Sequence, residues 1–496
     1  MAVPPRLWLN MRTPDNTVEN VLVALATRVF IARPAFFPLQ PAVMSRIARK
    51  AGAKCARRHG FRLWTEDEVR SYINTLKPSK RSLYNEALDS SATFPRISQA
   101  TIFAKDELGE VKVNKLWRPR MIAFRRPEHF ARSLFFYRPL IQAFTHAEYL
   151  FDPYQRTNCL KGMNYDEWMA WHVEELVRLG GSGPGRVMWY GIDCSAWDAH
   201  CSADFMKAVH EPFESQFFYS CNPTDAQRTF FNRWQVSCRS LPFLGRLRNG
   251  IVRGNVQDGC LGSGEARTDG NTYGAVACGR YYAEVAGFHP KDWALGHNGD
   301  DGSGFVKSEL ADAFVGGQKA CYDTLGHSLT QEGPYPVDLT SMETISFCQC
   351  RPVYMGESEP DGSRGWRFVR DPRRAINVYS RSTKWYTSVE MAKRYWASIG
   401  EGELRLNSGV PIMQSFYARL LRAAAGAKPI PAVLADKYSE RNRPTKRPLA
   451  VVPVKWETRL SFEKAFRISV IDQLIMEEWY DSITDDTLWQ GFAISP

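Results

Sequence analysis

The segment that most constrains this chain is Asn298-Gly299-Asp300-Asp301, set between Trp293-Ala294-Leu295-Gly296-His297 and Gly302-Ser303-Gly304-Phe305-Val306. Asn-Gly between two apolar-bearing runs is the strongest short-range hairpin signal, because a two-residue type I′ turn needs positive φ at both central positions. The chain is therefore expected to hold an antiparallel pair of strands whose tip carries two adjacent carboxylates. Gly302 and Gly304 predict a return strand that bends or pairs weakly, since interior glycine weakens a strand.

A second acidic element lies upstream. Arg186 to Ile192 is a run of large apolar residues fit for a buried strand, and it delivers Asp193 at its C-terminal end. Asp198 follows after a short turn, and Ser202 with Asp204 then supplies an N-cap and a first-turn acid for a helix. Acids carried on separate strands suit nucleotidyl transfer, in which two Mg²⁺ ions about 3.5–4 Å apart activate a 3′-hydroxyl and stabilise the leaving pyrophosphate. Asp193 and Asp300 can serve that chemistry only if a sheet brings them together.

Between these acids runs Gly262-Ser263-Gly264-Glu265-Ala266-Arg267-Thr268, followed by Asp269-Gly270-Asn271-Thr272-Tyr273-Gly274. The glycines let a backbone loop approach a nucleotide closely, and Thr268 is placed to cap a helix that runs to about Gly287. Gly270, Gly274 and Cys278 recur every four positions, which makes a small-residue helix face able to lie tightly against a sheet or a strand of nucleic acid.

Taken in order, these segments resemble the RNA-dependent RNA polymerases of positive-strand RNA viruses, most closely the tombusvirus-like group. Asp193…Asp198 is similar to the family's first palm motif, Ser263-Gly264…Thr268 to its second, and Asn298-Gly299-Asp300-Asp301 to its third. Pro119 to Pro127 with Tyr137-Arg138-Pro139-Leu140 resembles the Arg-rich fingers segment, and Ser346-Phe347-Cys348-Gln349 the segment after the palm. Lys161-Gly162 falls where these enzymes carry a Lys-Gly element. Three departures stand out: Asn271 is three positions after Thr268 where the family spacing is four, Glu265 stands where Asp is frequent, and the strand after the acids opens with glycines.

The resemblance implies an α+β right-hand polymerase with fingers, an antiparallel-sheet palm and a helical thumb. Residues 1–185 would form fingers with an N-terminal basic region, 186–206 and 259–360 the palm, 207–258 a fingers insertion and 361–496 the thumb. It implies that Asp193, Asp300 and Asp301 hold Mg²⁺, with Mn²⁺ as an alternative. Arg120 and Arg125 would hold the triphosphate with Lys105 and Arg118 beside them, and Asp198, Ser263, Gly264, Thr268 and Asn271 would bind the nucleotide and its ribose. Phe347, Cys348 and Gln349 would support the product end. Template and product RNA, ribonucleoside triphosphates and viral or host replication proteins are the implied partners, and the host cytoplasm, with partner-mediated membrane association, is the implied location.

Composition agrees with this reading. The chain has 496 residues, 44% of them hydrophobic, enough for a large core in two or three lobes. Its 64 basic against 53 acidic residues give a net charge of +11, which favours polyanions such as RNA. The first sixty-odd residues are strongly basic, with Arg46, Arg49, Lys50, Lys54, Arg57, Arg58 and Arg62 against Asp15 and Glu19, and read as a fingers segment facing template, with a transit peptide or peripheral membrane helix as the alternative. No apolar run reaches the length of a spanning helix. Eleven cysteines without a Cys-x-x-Cys pair read as packed, reduced thiols, Cys348 and Cys350 lying in an alternating, strand-like segment. His200 and His297 read as structural or supporting groups.

Downstream, Thr387 to Glu390 reads as a capping box before a helix closed by Gly400, and Pro411 opens a second helix ending near Gly426. Residues 461–480 predict a third helix, and the basic stretch Asp436 to Pro448 reads as a template-facing loop, a solvated linker or a localisation signal. A reverse transcriptase, a non-catalytic RNA-binding protein and a metal-dependent nuclease are the alternatives.

Overall fold

A computed structural model describes residues 3–58, 61–112, 116–262, 266–356, 365–381, 388–431, 447, 449–485 and 488. Its centre is a four-stranded antiparallel sheet in the order β10-β5-β9-β8, built from β5 (Val187–Cys194), β8 (Trp293–Asn298), β9 (Asp301–Lys307) and β10 (Leu329–Val337). Alternate residues of β5 serve opposite faces, as strand geometry requires. Val187 and Trp189 join a core with Trp168, Trp171 and Leu176 of the helix Tyr165–Arg178. Tyr190 and Ile192 join another, with Tyr282 of the helix Asn271–Val285 and Phe314 of the helix Ala311–Thr324. Both faces are covered, which is why β5 reads as a continuous apolar run.

The glycines of β9 do not weaken its pairing. Gly302, Ser303 and Gly304 pair with Ile192, Gly191 and Tyr190 on one side and with His297, Gly296 and Leu295 on the other. A Cβ at Gly304 would lie 2.4 Å from the Tyr190 ring, so glycine is what lets that ring cross the strand. Ser303, fully buried, accepts a hydrogen bond from Trp189 Nε1 at 2.9 Å and lies 2.9 Å from His172 Nε2.

A second sheet, β4-β2-β6-β7, joins β2 (Ala100–Ala104) and β4 (Met121–Arg125) to the hairpin β6 (Leu241–Leu247) and β7 (Gly250–Val256). Its β2–β6 pairing is parallel and its other pairings antiparallel. A ribbon of β11 (Cys350–Tyr354) and β12 (Trp366–Arg370) packs on the helix Trp456–Phe466. A short pair of β1 (Met11–Arg12) with β3 (Gly109–Glu110) completes the strands among the described residues.

The C-terminal part is helical, with three differences from expectation. Ser388, not Thr387, caps the helix Val389–Asn407, its side chain accepting from the Met391 amide; Thr387 lies outside the described residues. The helix continues past Gly400, where a Cβ would lie 2.5 Å from Leu421 Cγ, so this glycine is a crossing point with the helix Met413–Ala423 and not a stop. Residues 461–480 are divided between the helices Trp456–Phe466 and Val470–Ser482, separated at Arg467 with φ +54°. Val3 and Leu7, from the other end of the chain, pack into this C-terminal core. The stretch from Asp436 to Pro448 lies outside the described residues except for Arg447, which pairs with Asp166 at 2.7 Å.

All eleven cysteines are free, and among the described residues no helix is long and apolar enough to cross a membrane. His172 is fully buried, and burial pushes its pKa down to about 4 from an ordinary 6.5. A depressed folded-state pKa means that its stabilising contribution is present above about pH 6.5 and is lost as pH falls through about 4. The stability difference between the wild type and His172→Gln should therefore shift by about 3 kcal/mol against the wild type between those pH values. Urea unfolding of both proteins across the range measures this, and a pH-independent difference would contradict it.

Candidate active site

The central sheet gathers the acids at one end. β5 and β9 are antiparallel and paired through Ile192 and Gly302, so Asp193, just beyond Ile192 and still paired with Thr330 of β10, and Asp301, just before Gly302, stand side by side where the β5–β9 pairing ends. Asn298 pairs with Asp301, which makes Gly299-Asp300 the two-residue loop of the β8–β9 hairpin. Gly299 has φ +73° and Asp300 is not among the residues with positive φ. That is the pattern of a type II′ turn, not the type I′ turn expected from Asn-Gly. The adjacent acids thus occupy different positions, Asp300 in the loop and Asp301 at the head of β9.

These carboxylates lie close enough to raise one another's pKa. Asp300 is pushed up to about 7, first by burial and then by Asp301, Asp193 and Asp198. Asp301 is pushed up to about 6 by burial and by Asp193, while Asp193 is raised by burial. Asp198 is likewise raised by burial, opposed by the hydrogen bond from Asn271 Nδ2 to its Oδ1 at 3.1 Å.

Two clefts meet at the turn. One, of about 450 Å³, has Asp198 and Asp300 in its wall with Thr268, Asn271 and the cations Arg28, Lys105, Arg120 and Lys161. The other, of about 250 Å³, holds Asp193 and Asp301 with Phe347, Cys348 and Gln349. Arg28 and Arg120 also line an outer cavity of about 690 Å³ together with Lys112, Arg118 and Arg374. Lys105 and Arg120 share Glu107, at 2.7 and 3.5 Å.

Some candidate residues take other positions. Arg125 is 2% exposed, and its guanidinium donates to the carbonyls of Ser98 at 2.6 Å and Ser240 at 2.7 Å. It joins β4 to neighbouring loops and does not face the cleft. Arg118 lies in the outer cavity and not beside the acids. Thr268 sits within the short helix Ala266–Asp269, its hydroxyl donating to the Gly262 carbonyl at 2.7 Å, so it closes the loop and does not cap the long helix. Ser263 and Gly264 fall outside the described residues.

The break that follows accounts for the shortened Thr268-to-Asn271 spacing. Gly270 separates the two helices, and Asn271 is the first residue of Asn271–Val285, where it meets Asp198. A Cβ at Gly270 would lie 2.2 Å from Tyr137 Oη, and one at Gly274 3.0 Å from His210 Nε2 and Trp197. The small-residue face is therefore filled by protein side chains.

Cys348 and Gln349 form a tight turn in place of the expected strand. Both have positive φ, +49° and +64°, between Phe347 and Cys350, which exchange backbone hydrogen bonds at 3.0 and 2.9 Å. Such a conformation costs about 1–3 kcal/mol for a non-glycine residue and is retained where surrounding structure enforces it. Phe347 is buried against Trp168 and supplies that anchor, and Asn298 Nδ2 contacts Cys348 Sγ at 3.3 Å. Arg28, which no sequence motif marks, ends the helix Val18–Arg28 within the basic N-terminal region. Lys161 reaches the loop by donating to the Thr268 carbonyl at 3.3 Å.

Among the described residues, no group of three or more His, Cys, Asp or Glu side chains is already gathered as a metal-binding cluster. Yet the donor chemistry of Asp193, Asp300 and Asp301 fits a hard divalent cation: the candidate ligands are carboxylate oxygens, brought close and withdrawn from water. His200 and His297 are buried, and burial lowers the pKa of both, that of His297 to about 3.

Acids from two neighbouring strands thus stand beside a cleft of about 450 Å³ whose wall carries four cations. The chain matches the family model for viral RNA-dependent RNA polymerase over residues 5–487 and belongs to that family. It is similar to the RNA-directed RNA polymerase of turnip crinkle virus, 26% identical over 488 residues that cover 96% of this chain and 58% of the relative. The corresponding protein of groundnut rosette virus (strain MC1) is 28% identical over 488 residues, covering 96% and 53%, and that of carnation mottle virus 25% over 437, covering 85% and 52%. The chain thus spans little more than half the length of these relatives.

Proposed function

We propose that this chain extends an RNA 3′ end from ribonucleoside triphosphates under the direction of an RNA template, replicating a viral genome. The observation that carries this reading is the convergence of Asp193 with Asp300 and Asp301 at one sheet end, beside a cleft in which Asp198 is bonded to Asn271 and faced by cations. Asp193, Asp300 and Asp301 would hold Mg²⁺ or Mn²⁺. The bound ions would supply activation of the attacking 3′-hydroxyl and charge stabilisation on the leaving pyrophosphate. Arg120 and Lys105, joined by Arg28 and Lys161, hold the triphosphate; Asp198 and Asn271 read the ribose, whose 2′-hydroxyl both donates and accepts hydrogen bonds. Cys348 and Gln349 face the cleft of Asp193 and Asp301, a position suited to supporting the product end.

In this reading the central sheet is the palm, with the sheet β4-β2-β6-β7 uniting 1–185 and 207–258 as fingers and the helices after 361 as the thumb. Template and product RNA are the macromolecular ligands, and the host cytoplasm, with membrane contact through viral or host replication proteins, is the proposed setting.

Arg120→Ala should raise the KM for nucleotide about tenfold and leave template affinity almost unchanged, because one charge-assisted contact is lost from a site with several cations. Initial rates against nucleotide concentration, with RNA binding in parallel, separate this from a template-binding role, in which RNA affinity falls and KM stays constant. Asn271→Ala should lower the preference for ribonucleotides over deoxyribonucleotides more than the overall rate, read by competitive incorporation. Unchanged preference would assign sugar reading elsewhere. Extension of a primed RNA with labelled ribonucleotides or deoxyribonucleotides tests the reading itself, since a reverse transcriptase prefers the latter.

A further inference from the structure

Asn298 and Asp301 face each other across the β8–β9 hairpin, one on either side of the Gly299-Asp300 loop. Directly opposed residues of an antiparallel pair send their side chains to the same face, with Cβ atoms about 4.5–5.5 Å apart. A third side chain joins them from outside the sheet. Cys348 Sγ accepts a hydrogen bond from Asn298 Nδ2 at 3.3 Å, and the thiol donates to the Asp301 carboxylate. The other two acids at this sheet end are bonded differently: Asp193 accepts from the Cys194 amide and Asp300 from its own.

The turn that presents Cys348 is built without help from the thiol. Phe347 and Cys350 exchange backbone hydrogen bonds around it, and the Asp371 amide donates to the Gln349 carbonyl at 3.1 Å. The Phe347 ring packs edge-on against Trp168, with centroids 5.0 Å apart. Cys348 itself has φ +49°, a conformation that is costly for any residue but glycine and is retained where its surroundings enforce it. Held there, the half-buried side chain points into the wall of the cleft that Asp193 and Asp301 share.

We infer that Cys348 is a positioning residue for the metal, its thiol holding the Asp301 carboxylate so that the segment after the central sheet sets how readily the acid-bearing turn takes up a divalent cation. This rests on the polymerase reading above and gives Cys348 a part there besides support of the product end. A carboxylate that is already hydrogen-bonded is oriented before the cation arrives. Without the bond it must be oriented on binding, at a cost in affinity of about one hydrogen bond, or roughly fivefold.

The test uses the full chain in three forms: wild type, Cys348→Ala, which removes the donor, and Cys348→Ser, whose hydroxyl restores one. Mn²⁺ is titrated into each protein without RNA or nucleotide, and the free ion is read by electron paramagnetic resonance. The Mg²⁺ concentration for half-maximal extension and the affinity for primed RNA are measured beside it. Cys348→Ala should raise the Mn²⁺ dissociation constant and the Mg²⁺ requirement about fivefold each, with RNA affinity unchanged, and Cys348→Ser should recover both. Equal Mn²⁺ affinity in wild type and Cys348→Ala, or a loss confined to RNA affinity, would overturn the inference alone. So would a loss that Cys348→Ser fails to recover, since the missing donor would then not be its cause. A wild type that binds Mn²⁺ but incorporates no nucleotide would overturn the polymerase reading, while the Mn²⁺ titration would still decide the part played by Cys348.

Discussion

Asp300→Ala should abolish RNA extension, with a loss of at least about 10³-fold, while the protein folds and binds RNA as before. Removing a ligand to an ion that stabilises transition-state charge removes several kcal/mol from catalysis, and each 1.36 kcal/mol is tenfold in rate. Folding should not suffer, because Asp300 sits in a two-residue loop and its carboxylate is repelled by Asp301, Asp193 and Asp198. RNA affinity is expected to come from many basic contacts across the surface and to persist. Single-nucleotide extension, thermal unfolding and RNA binding by anisotropy read the three properties separately. Near-normal extension would remove Asp300 from the chemistry.

Arg267→Ala should destabilise the fold by about 3–5 kcal/mol, the usual consequence of stripping one partner from a buried ion pair. The Arg267 guanidinium binds Glu214 through two hydrogen bonds, at 2.8 and 2.6 Å, with side chains 0% and 1% exposed, and lies 4.9 Å from the Trp234 ring centroid. Arg267→Lys should restore little of this, because an ammonium cannot reproduce the planar, two-pronged contact. Urea unfolding measures the loss, and a change below about 1 kcal/mol would show that the pair is dispensable. Since Arg267 is the residue before Thr268, this pair also anchors the segment beside the cleft of Asp198 and Asp300 to the helix Glu211–Ser220.

What could be read from sequence was local and periodic. Strand β5 and the β8–β9 hairpin were legible because strand periodicity and turn chemistry act over a few residues. The turn class was not legible: Asn-Gly favours a type I′ loop, but the register of β8 against β9 shifts the loop by one residue and leaves Asn298 in the strand. Arg125 resembled its neighbours Arg118 and Arg120 until strand alternation in β4 buried it, where its guanidinium meets the carbonyls of Ser98 and of Ser240, the latter 115 positions away in sequence. The Cys348-Gln349 turn breaks the preference of such residues for negative φ, which only the surrounding core of Phe347, Trp168 and His172 can enforce. Arg28 entered the cleft through tertiary placement of its helix, for which spacing along the chain gives no signal.

The central claim is tested most directly by offering the purified chain a primed RNA template with each of the four ribonucleotides in turn, in the presence of Mg²⁺. The account predicts that the primer lengthens by one nucleotide with the ribonucleotide complementary to the template base, and that changing that base changes which nucleotide is added. Incorporation indifferent to the template base, preferential use of deoxyribonucleotides, or shortening of the RNA would contradict it.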